Sequence, residues 1–349
     1  MGVSPGPPGV KLRGRRRFFK RANPPASGIR LLIVQGFPMV AASARYRFAV
    51  NPLLDNVLHA NTVLHMRPGD YHIRGFRTFL TLKSVVEGQA NYRTRHTRYQ
   101  VDDGSMVIFN HGQEYDSDFE ARDRTEALTF FFQPGFIADA ARSREETDAA
   151  LLDDPVRRAQ PPLFFERLYP KTGPFAALLD EIRIGISSPG RTASWVEEQF
   201  YRLADALLGL HEITRREVER FPACRASTRE ELYRRLHYAR DYIHTCYAEP
   251  LTVQEIANVA CLSPFHFQRM FKLAFSQTPM NCLQARRLDV ARKLLLRTEQ
   301  DVTSICLNVG FESLGSFSWL FRRKFGLSPR QFRAAARPAV VAAPADCRP

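Results

Sequence analysis

The sequence lacks the features that mark several common classes of protein. No run of 18 uncharged apolar residues occurs in its 349 residues, so an integral membrane protein is not expected. All six cysteines lie in the last 40% of the chain, and they form neither a Cys-x-x-Cys pair nor a zinc-type Cys/His spacing. Unpaired cysteines among predicted helices favour a reducing, cytoplasmic compartment.

Motifs of catalysis are missing as well. The sequence holds no Gly-rich phosphate loop, no nucleophile elbow and no His-Glu-x-x-His site. Its histidines at positions 59, 65, 72, 96 and 111 are scattered, without the His-x-His pair that a metal site on adjoining strands uses. We therefore predict no catalytic residue, no metal and no cofactor, and a protein that is not an enzyme.

Positive charge is abundant but unevenly spread. The net charge is +14, and residues 1–30 hold eight basic residues and no acidic one. Residues 31–227 are close to neutral, whereas residues 228–337 carry 17 basic and 9 acidic side chains. A near-neutral middle followed by a basic segment indicates a sensor or scaffold joined to a nucleic-acid binder.

The first 44 residues are predicted to be a disordered basic tail or a mis-annotated start. Their Pro, Gly and Arg content cannot build a core. Arg15–Lys20 resembles a twin-arginine export motif, and the apolar stretch Leu31–Ala42 follows it. Gln35, Gly36 and Pro38 interrupt that stretch. A DNA-contacting arm and a true export signal remain alternatives, and Met39 leaves open whether residues 1–38 are translated.

Short strand-like segments occupy the region from about Arg45 to Phe136. Phe79–Leu82, Tyr99–Val101 and Met106–Phe109 are apolar or β-rich, and turn signals separate them. A spacing of about 8–12 residues between strands predicts a small β-barrel or sandwich. After this region the apolar spacing becomes helical.

One of the later helices carries an apolar seam. Its members recur at 4-3-4-3 spacing and are Val196, Phe200, Leu203, Leu207 and Leu210. This spacing predicts a homodimer contact through an antiparallel helix pair. Packing of the helix on its own barrel is the equal alternative, because the seam spans only two heptads. The charged residues 213–230 are predicted to form an interdomain linker.

An internal repeat in residues 251–333 is the most informative feature of the chain. Ser263–Lys272 matches Ser313–Arg322 at an offset of 50 residues. Each copy predicts a helix, a tight turn and a second helix that begins at a capping serine. In the second helix of each copy, two phenylalanines four residues apart mark the buried face. They are Phe267 and Phe271 in the first copy, and Phe317 and Phe321 in the second.

A long helix is predicted between the two copies, over Pro279–Leu296. At 1.5 Å per residue its length is roughly 27 Å. Two helix-turn-helix units held about one DNA turn apart, roughly 34 Å, would enter successive major grooves on one face of the duplex.

Residues 232–335 resemble the AraC/XylS family of bacterial transcription regulators. The resemblance is carried by Ile305-x3-Val309-Gly310-Phe311-x4-Ser316-Phe317-x3-Phe321-x2-Lys324-Phe325-Gly326-x-Ser328-Pro329-x2-Phe332-Arg333 and by Arg287-Leu288-x2-Ala291-x2-Leu294-Leu295. It implies an all-α double helix-turn-helix domain. A looser resemblance over residues 50–210 implies the cupin-like effector domain that precedes this module in many members. The expected fold is therefore α+β with two domains, an N-terminal β-barrel with helices and a C-terminal all-α domain.

The expected boundaries follow from this division. Residues 1–44 form the tail, 45–222 the cupin-like effector and dimerisation domain, 223–337 the DNA-binding domain, and 338–349 a second disordered tail.

The resemblance implies that the first recognition helix reads bases through Phe265, Gln268 and Arg269. Their chemistry agrees, because Gln pairs with adenine, Arg with guanine, and an aromatic edge contacts a thymine methyl. The full set of candidate base contacts is Phe265, His266, Gln268, Arg269, Leu314, Gly315, Ser318 and Trp319. The candidate phosphate contacts are Lys272, Arg322, Arg323 and Lys324. Leu314, Gly315 and Trp319 replace the long polar readers often found in the family, so the first unit is expected to dominate binding.

Five residues of the middle region are candidates for an effector pocket: Tyr71, Tyr92, Arg93, His111 and Tyr115. The expected function is a sequence-specific DNA-binding transcription regulator controlled by an effector or partner. The resemblance implies an activator, and repression is the alternative that stays open. Its expected partners are double-stranded DNA, RNA polymerase, a small-molecule effector and a second copy of the chain, with no membrane. Two alternatives are an architectural DNA binder without an effector and an exported cupin enzyme, which leaves the double helix-turn-helix unexplained.

Overall fold

The computed structural model describes residues 30–35, 60–68, 70–77, 79–120, 124–147, 153–154, 160–188, 192–221 and 225–336. The chain divides into two compact units, one up to Ala226 and one from Ser227, residues 97–99 excepted. Within the described residues the first unit is built of two β-sheets and three helices, and the second is helical. The predicted fold class, a β-domain with helices followed by an all-α double helix-turn-helix, is confirmed.

The strands of the first unit form two sheets. In chain order β1–β10 are Arg30–Gln35, Thr62–Arg67, Tyr71–Arg77, Thr81–Glu87, Gln89–Arg93, Arg98–Asp102, Ser105–Phe109, Glu114–Phe119, Glu126–Phe131 and Leu168–Pro170. The larger sheet has the order β1-β2-β9-β4-β7-β10, and the smaller one β3-β8-β5-β6. At the β6–β7 turn, the Asp102 carboxylate accepts hydrogen bonds from Gly104 N and Ser105 Oγ, as the Asp-Asp-Gly signal indicates.

The larger sheet is buried on both faces. Leu82, Ile108 and Phe130 lie in one core cluster with the helices. Alternation along the strands sends Lys83, Phe109 and Phe131 to the other face. There the Phe109 ring stacks on Tyr115 of the smaller sheet at 4.1 Å between ring centroids. The two sheets therefore pack against each other through this second face.

Three helices cover the first face of the larger sheet. They are α1 (Phe136–Glu145), α2 (Gly173–Ile186) and α3 (Ala193–Glu219). The start of α3 is set by Thr192, whose hydroxyl accepts a hydrogen bond from Trp195 N.

The predicted dimer seam lies inside this core, contrary to our expectation that it faces a second copy of the chain. Val196, Phe200, Leu203 and Leu207 are buried in the single chain, and Leu210 packs at the edge of the same cluster. The ring of Phe200 lies 6.1 Å from Phe130 and 5.6 Å from Phe132. The homodimer contact through this seam is wrong, because the seam already covers the chain's own sheet.

The predicted linker is also mostly helical. Helix α3 continues to Glu219, and the next helix, α4, begins at Ala226. The helical turns within residues 213–230 are largely exposed to solvent and therefore carry many charged residues. Composition alone cannot distinguish such a solvated helix from a linker.

Part of the predicted tail is a strand. β1 pairs with β2 in parallel, with Arg30 opposite Thr62 and Gln35 opposite Arg67. The expectation of a disordered segment over residues 1–44 therefore does not hold for residues 30–35. The twin-arginine-like run and the tail at 338–349 lie outside the described residues.

The second unit consists of seven helices in its described residues. They are α4 (Ala226–Thr245), α5 (Val253–Val259), α6 (Pro264–Phe275), α7 (Pro279–Arg297), α8 (Val302–Asn308), α9 (Leu314–Phe325) and α10 (Pro329–Ala336). The long helix predicted between the repeats is confirmed as α7. Over the described parts of both units, no helix has the length and apolar character needed to cross a membrane.

Candidate functional site

The first helix-turn-helix is formed by α5 and α6. A capping box begins α5: Thr252 Oγ1 accepts from Glu255 N at 3.2 Å, and Glu255 Oε2 accepts from Thr252 N at 2.7 Å. The turn passes through Cys261 in a left-handed conformation, with φ of 51°. Pro264 then occupies the first turn of α6, where its missing N–H costs no helical hydrogen bond.

Helix α6 buries one face and exposes the other. Phe267, Met270 and Phe271 are buried, and the Phe267 and Phe271 rings lie 5.3 Å apart. On the opposite face Phe265 is 81% exposed, and Gln268 and Arg269 are also exposed. Lys272 is exposed one turn beyond Gln268, and His266 is half-buried. The structure therefore brings the candidate base readers and the candidate phosphate contact of this unit onto one solvent-facing surface.

The second helix-turn-helix repeats this arrangement in α8 and α9. Asp301 caps α8 by accepting from Ser304 N at 2.9 Å, and Ser313 caps α9 by accepting from Ser316 N at 3.3 Å. Phe317 and Phe321 are fully buried with ring centroids 5.7 Å apart. This matches the phenylalanine pair of α6 and confirms the buried face that the repeat predicted.

The exposed face of α9 is more apolar than that of α6. Trp319 is 61% exposed, and Leu314 and Gly315 are exposed beside it, with Ser318 half-buried. The Arg323 guanidinium lies 5.3 Å from the centre of the Trp319 indole, in cation–π range. Arg322 and Arg323 are both exposed.

Lys324 differs from the other predicted phosphate contacts. Its ammonium donates to Asp289 Oδ2 at 2.9 Å and to Ala285 O at 3.0 Å, both on α7. This ion pair links α9 to α7, and the phosphate contact of Lys324 stays a prediction.

Arg287 links α7 to the connection between α4 and α5. Its guanidinium donates to Tyr247 O at 2.7 Å and to Glu249 O at 2.8 Å. Gly310, in the turn of the second helix-turn-helix, has φ of 89°, and a Cβ there would lie 2.7 Å from Ala248 O. The turn thus approaches the α4–α5 connection so closely that only glycine fits.

The candidate effector residues of the β unit do not form one cluster. Tyr92 and Tyr115 are buried together between the sheets, with ring centroids 6.2 Å apart. Arg93 points outward and donates to Asp116 Oδ2 at 2.6 Å. His111 is exposed in a turn and stacks on Phe79 at 5.5 Å. The side chain of Tyr71 lies outside the described residues.

Sequence reasoning missed a buried charge beside Tyr92 and Tyr115. Lys83 on β4 is 6% exposed, and its Nζ lies 5.8, 5.1 and 5.1 Å from the ring centres of Tyr92, Tyr115 and Phe131. Burial lowers the pKa of the Lys83 ammonium to about 7. The signal was a lysine inside the otherwise small and apolar segment Thr81–Val85 of a central strand.

Family models match both units. A helix-turn-helix domain model matches residues 256–335, and an AraC-like ligand binding domain model matches residues 62–194. The chain belongs to the AraC/XylS family of transcriptional regulators. In this AraC/XylS member the first match contains α6–α9, and the second contains β2–β10 with α1 and α2.

Curated AraC/XylS relatives align with part of the chain. The HTH-type transcriptional regulator ArgR of Pseudomonas aeruginosa is 38% identical over 85 residues, which are 24% of this chain and 26% of ArgR. The HTH-type transcriptional activator RhaS of an Enterobacter species is 36% identical over 99 residues, 28% of this chain and 36% of RhaS. The chain thus spans about a quarter to a third of the length of these relatives.

A solved structure is also similar. It is a transcriptional regulator of Chromobacterium violaceum described as containing an AraC-type DNA-binding domain. The match has 29% identity and a TM-score of 0.29, and covers 33% of this chain and 99% of that one. Within the described residues of this AraC/XylS member, no three His, Cys, Asp or Glu side chains lie together so as to hold a metal ion.

Proposed function

We propose that this chain is a sequence-specific DNA-binding transcription regulator whose β unit binds an effector. The observation that carries the proposal is the matched pair of α6 and α9. Each helix is fixed by two buried phenylalanines and leaves its opposite face to solvent. Helix α7 joins the two helix-turn-helix motifs. It has 19 residues and is therefore about 28 Å long, which is close to the length of one DNA turn.

Helix α6 supplies the polar base readers. Gln268 and Arg269 are adjacent and exposed, and their side chains suit adenine and guanine edges in the major groove. Phe265 lies nearly one turn earlier, where its ring suits a thymine methyl. Lys272, further along the helix, suits a phosphate.

Helix α9 contributes differently. Leu314, Gly315 and Trp319 offer apolar contacts and close backbone approach rather than long hydrogen-bonding side chains. Arg322 and Arg323 suit phosphates, whereas Lys324 is held by Asp289. We therefore propose that α6 sets most of the sequence preference, and that α9 adds affinity and shape complementarity.

Selection of bound sequences from a pool of random DNA duplexes by the full chain tests this function. Enrichment of a defined motif is expected, and recovery of no preferred sequence would contradict the proposal. In titrations on that motif, Arg269→Ala should cost about 1–3 kcal/mol and relax preference at one base position.

Lys272→Ala is the matched comparison, because it removes an exposed charge from the same face of α6. It should weaken binding to all sequences alike and reduce the magnitude of the salt slope by about 0.9. Equal weakening of every sequence by Arg269→Ala, with base preference intact, would show that Arg269 is not a base reader.

The remaining parts of the proposal concern partners. RhaS is named as an activator, which supports activation through RNA polymerase for this chain. The AraC-like ligand binding domain match supports a small-molecule effector. A homodimer would need a surface other than the buried seam of α3, and a cytoplasmic site of action follows from the role in transcription.

A further inference from the structure

The interior of the β unit holds a lysine amino group without a charged partner. Lys83 is buried between the sheets, and its Nζ is surrounded by the rings of Tyr92, Tyr115 and Phe131. Among the described residues no carboxylate forms an ion pair with it, and burial is the cause of its lowered pKa. Burying an ammonium is costly unless a counter-charge and hydrogen-bond acceptors accompany it.

Two hydroxyls share this interior surface. Thr129 lies directly opposite Lys83 in the β4–β9 register, and Thr81 lies two residues before Lys83 on the same face of β4. Both threonines are fully buried, and neither Oγ1 has a hydrogen-bond partner among the described residues. Unpaired buried hydroxyls are uncommon, because each one loses its hydrogen bonds to water.

The Lys83 ammonium and the two hydroxyls thus lie on one interior face of β4 and β9, with aromatic rings beside the ammonium. We propose that Lys83 is the counter-ion of a small organic monocarboxylate that binds between the two sheets, with Thr81 and Thr129 as hydrogen-bond donors and Tyr115 and Phe131 against its apolar body. This proposal rests on the proposed function, in which the β unit is the effector domain, and it names the chemical class of the effector.

The chemistry favours this class over others. A carboxylate accepts a charge-assisted hydrogen bond from the ammonium and has lone pairs left for the hydroxyls. One lysine neutralises one negative charge, so a phosphate dianion would keep an uncompensated charge in the same apolar surroundings. A neutral sugar would satisfy the hydroxyls but leave the ammonium unpaired.

Matched pairs of acids and amides test the proposal on the full chain. The probes are butyrate, hexanoate and benzoate, each beside its neutral amide. At least one acid should raise the Tm of the β unit, and the rise should grow with the logarithm of the acid concentration. The matching amide should have little effect on the Tm. If no acid of the panel stabilises the protein more than its amide, the proposal is wrong.

Variants at Lys83 locate the site. Lys83→Met is expected to fold, because it removes a buried charge and keeps an unbranched side chain of similar length. Calorimetric titration should show at least about tenfold weaker binding of the acid to this variant. Arg74→Met is the control, since Arg74 is exposed on β3 and pairs with Asp118 outside the site. Its affinity should stay within about twofold, as a salt-bridged surface charge contributes little.

Unchanged acid binding by Lys83→Met would overturn the proposal. The DNA selection described above is run without any acid and separates this failure from failure of the proposed function. A protein that selects a DNA motif but binds none of the acids would retain its function and disprove the effector class.

Discussion

The two helix-turn-helix turns place different residues at an equivalent left-handed position. Gly310 stands there in the second helix-turn-helix with φ of 89°, and Cys261 stands there in the first helix-turn-helix with φ of 51°. A left-handed conformation costs a non-glycine residue about 1–2 kcal/mol. Glycine avoids this strain but loses about 0.5–1 kcal/mol through the entropy of the unfolded chain. We expect Cys261→Gly to stabilise the helical unit by about 0.5–1 kcal/mol.

Gly310→Ala is the opposite case. Its Cβ would lie 2.7 Å from Ala248 O and 3.0 Å from the Arg287 guanidinium carbon, and the backbone would also be strained. A loss of about 2–4 kcal/mol is expected. Denaturant unfolding followed by Trp319 fluorescence, in a Trp195→Phe background that leaves one tryptophan, measures both variants. Equal effects of the two changes would contradict this reasoning.

Lys83 should make the stability of the β unit depend on pH in an unusual direction. Burial lowers the pKa of its ammonium to about 7, whereas an unfolded lysine titrates near 10.4. Between these values the unfolded chain holds a proton that the folded protein has released, so stability rises with pH across this window. Below pH 7 both states are charged, and the folded protein bears the full cost of burial. The other titratable groups facing the ammonium are Tyr92 and Tyr115, and burial raises the pKa of Tyr92.

Lys83→Met is therefore expected to have a larger free energy of unfolding than the wild type. The difference should be large at pH 6 and smaller at pH 9. Urea unfolding followed by Trp195 fluorescence, in a Trp319→Phe background, measures the difference at both pH values. Arg74→Met serves as the control, and its difference from the wild type should change little with pH. A constant difference for Lys83→Met would place the ammonium in a well-solvated setting.

At the scale of elements, the contact between α2 and α3 depends on one glycine. A Cβ at Gly185 would lie 2.1 Å from the Trp195 ring, so the ring packs directly on the backbone of α2. Gly185→Ala should displace the indole, destabilise the β unit by about 1–3 kcal/mol and shift Trp195 emission towards the red.

Gly209→Ala on α3 is the matched control, because nothing lies within 4 Å of a Cβ there. This helical substitution should stabilise the unit by about 0.5–1 kcal/mol. If both alanines had the same effect, the packing role of Gly185 would be refuted.

The elements differ in how well the sequence predicts them. Phe267 and Phe271 follow helical spacing after Pro264 in the first turn, so local chemistry and packing agree on α6. The predicted cap is the exception, because Ser263 stands at the N-cap position but makes no side-chain cap hydrogen bond. The seam from Val196 to Leu210 predicts an apolar face equally well, but the spacing does not say which surface covers it. Here the chain's own sheet covers the seam.

Lys83 was missed for a related reason. Both faces of the central strand β4 are buried, so the residues on either side of Lys83 give no apolar-polar alternation that would assign its face. A lysine in such a strand is mistaken for a solvent-facing residue. The ion pair of Lys324 could not be predicted from the sequence, because its partner, Asp289, is 35 residues away and meets it only through tertiary packing.

For the whole molecule, charge and contacts divide the chain at nearly the same point. The segment from residue 228 to 337 carries all of the basic excess outside the first 30 residues. The helical unit from Ser227 contains both recognition helices and a core built around Leu288, Ile305 and Phe321. In the proposed function, long-range attraction to DNA and specific reading of its bases therefore belong to the same unit.

A fragment of residues 223–337 should consequently fold alone as a helical domain and bind DNA as a monomer. It includes the whole of α4, whose Tyr233 and His237 rings lie 4.3 Å apart, and His237 in turn packs on Phe275 of α6 at 5.0 Å. Circular dichroism should report helix, and titration at low salt should report DNA affinity with the motif selected by the full chain.

A second fragment starting at residue 251 is the control, because it removes α4 and exposes Phe275. It should lose cooperative unfolding while keeping both recognition helices in its sequence. A folded and DNA-binding control fragment would show that α4 is dispensable, and an unfolded 223–337 fragment would refute the predicted boundary.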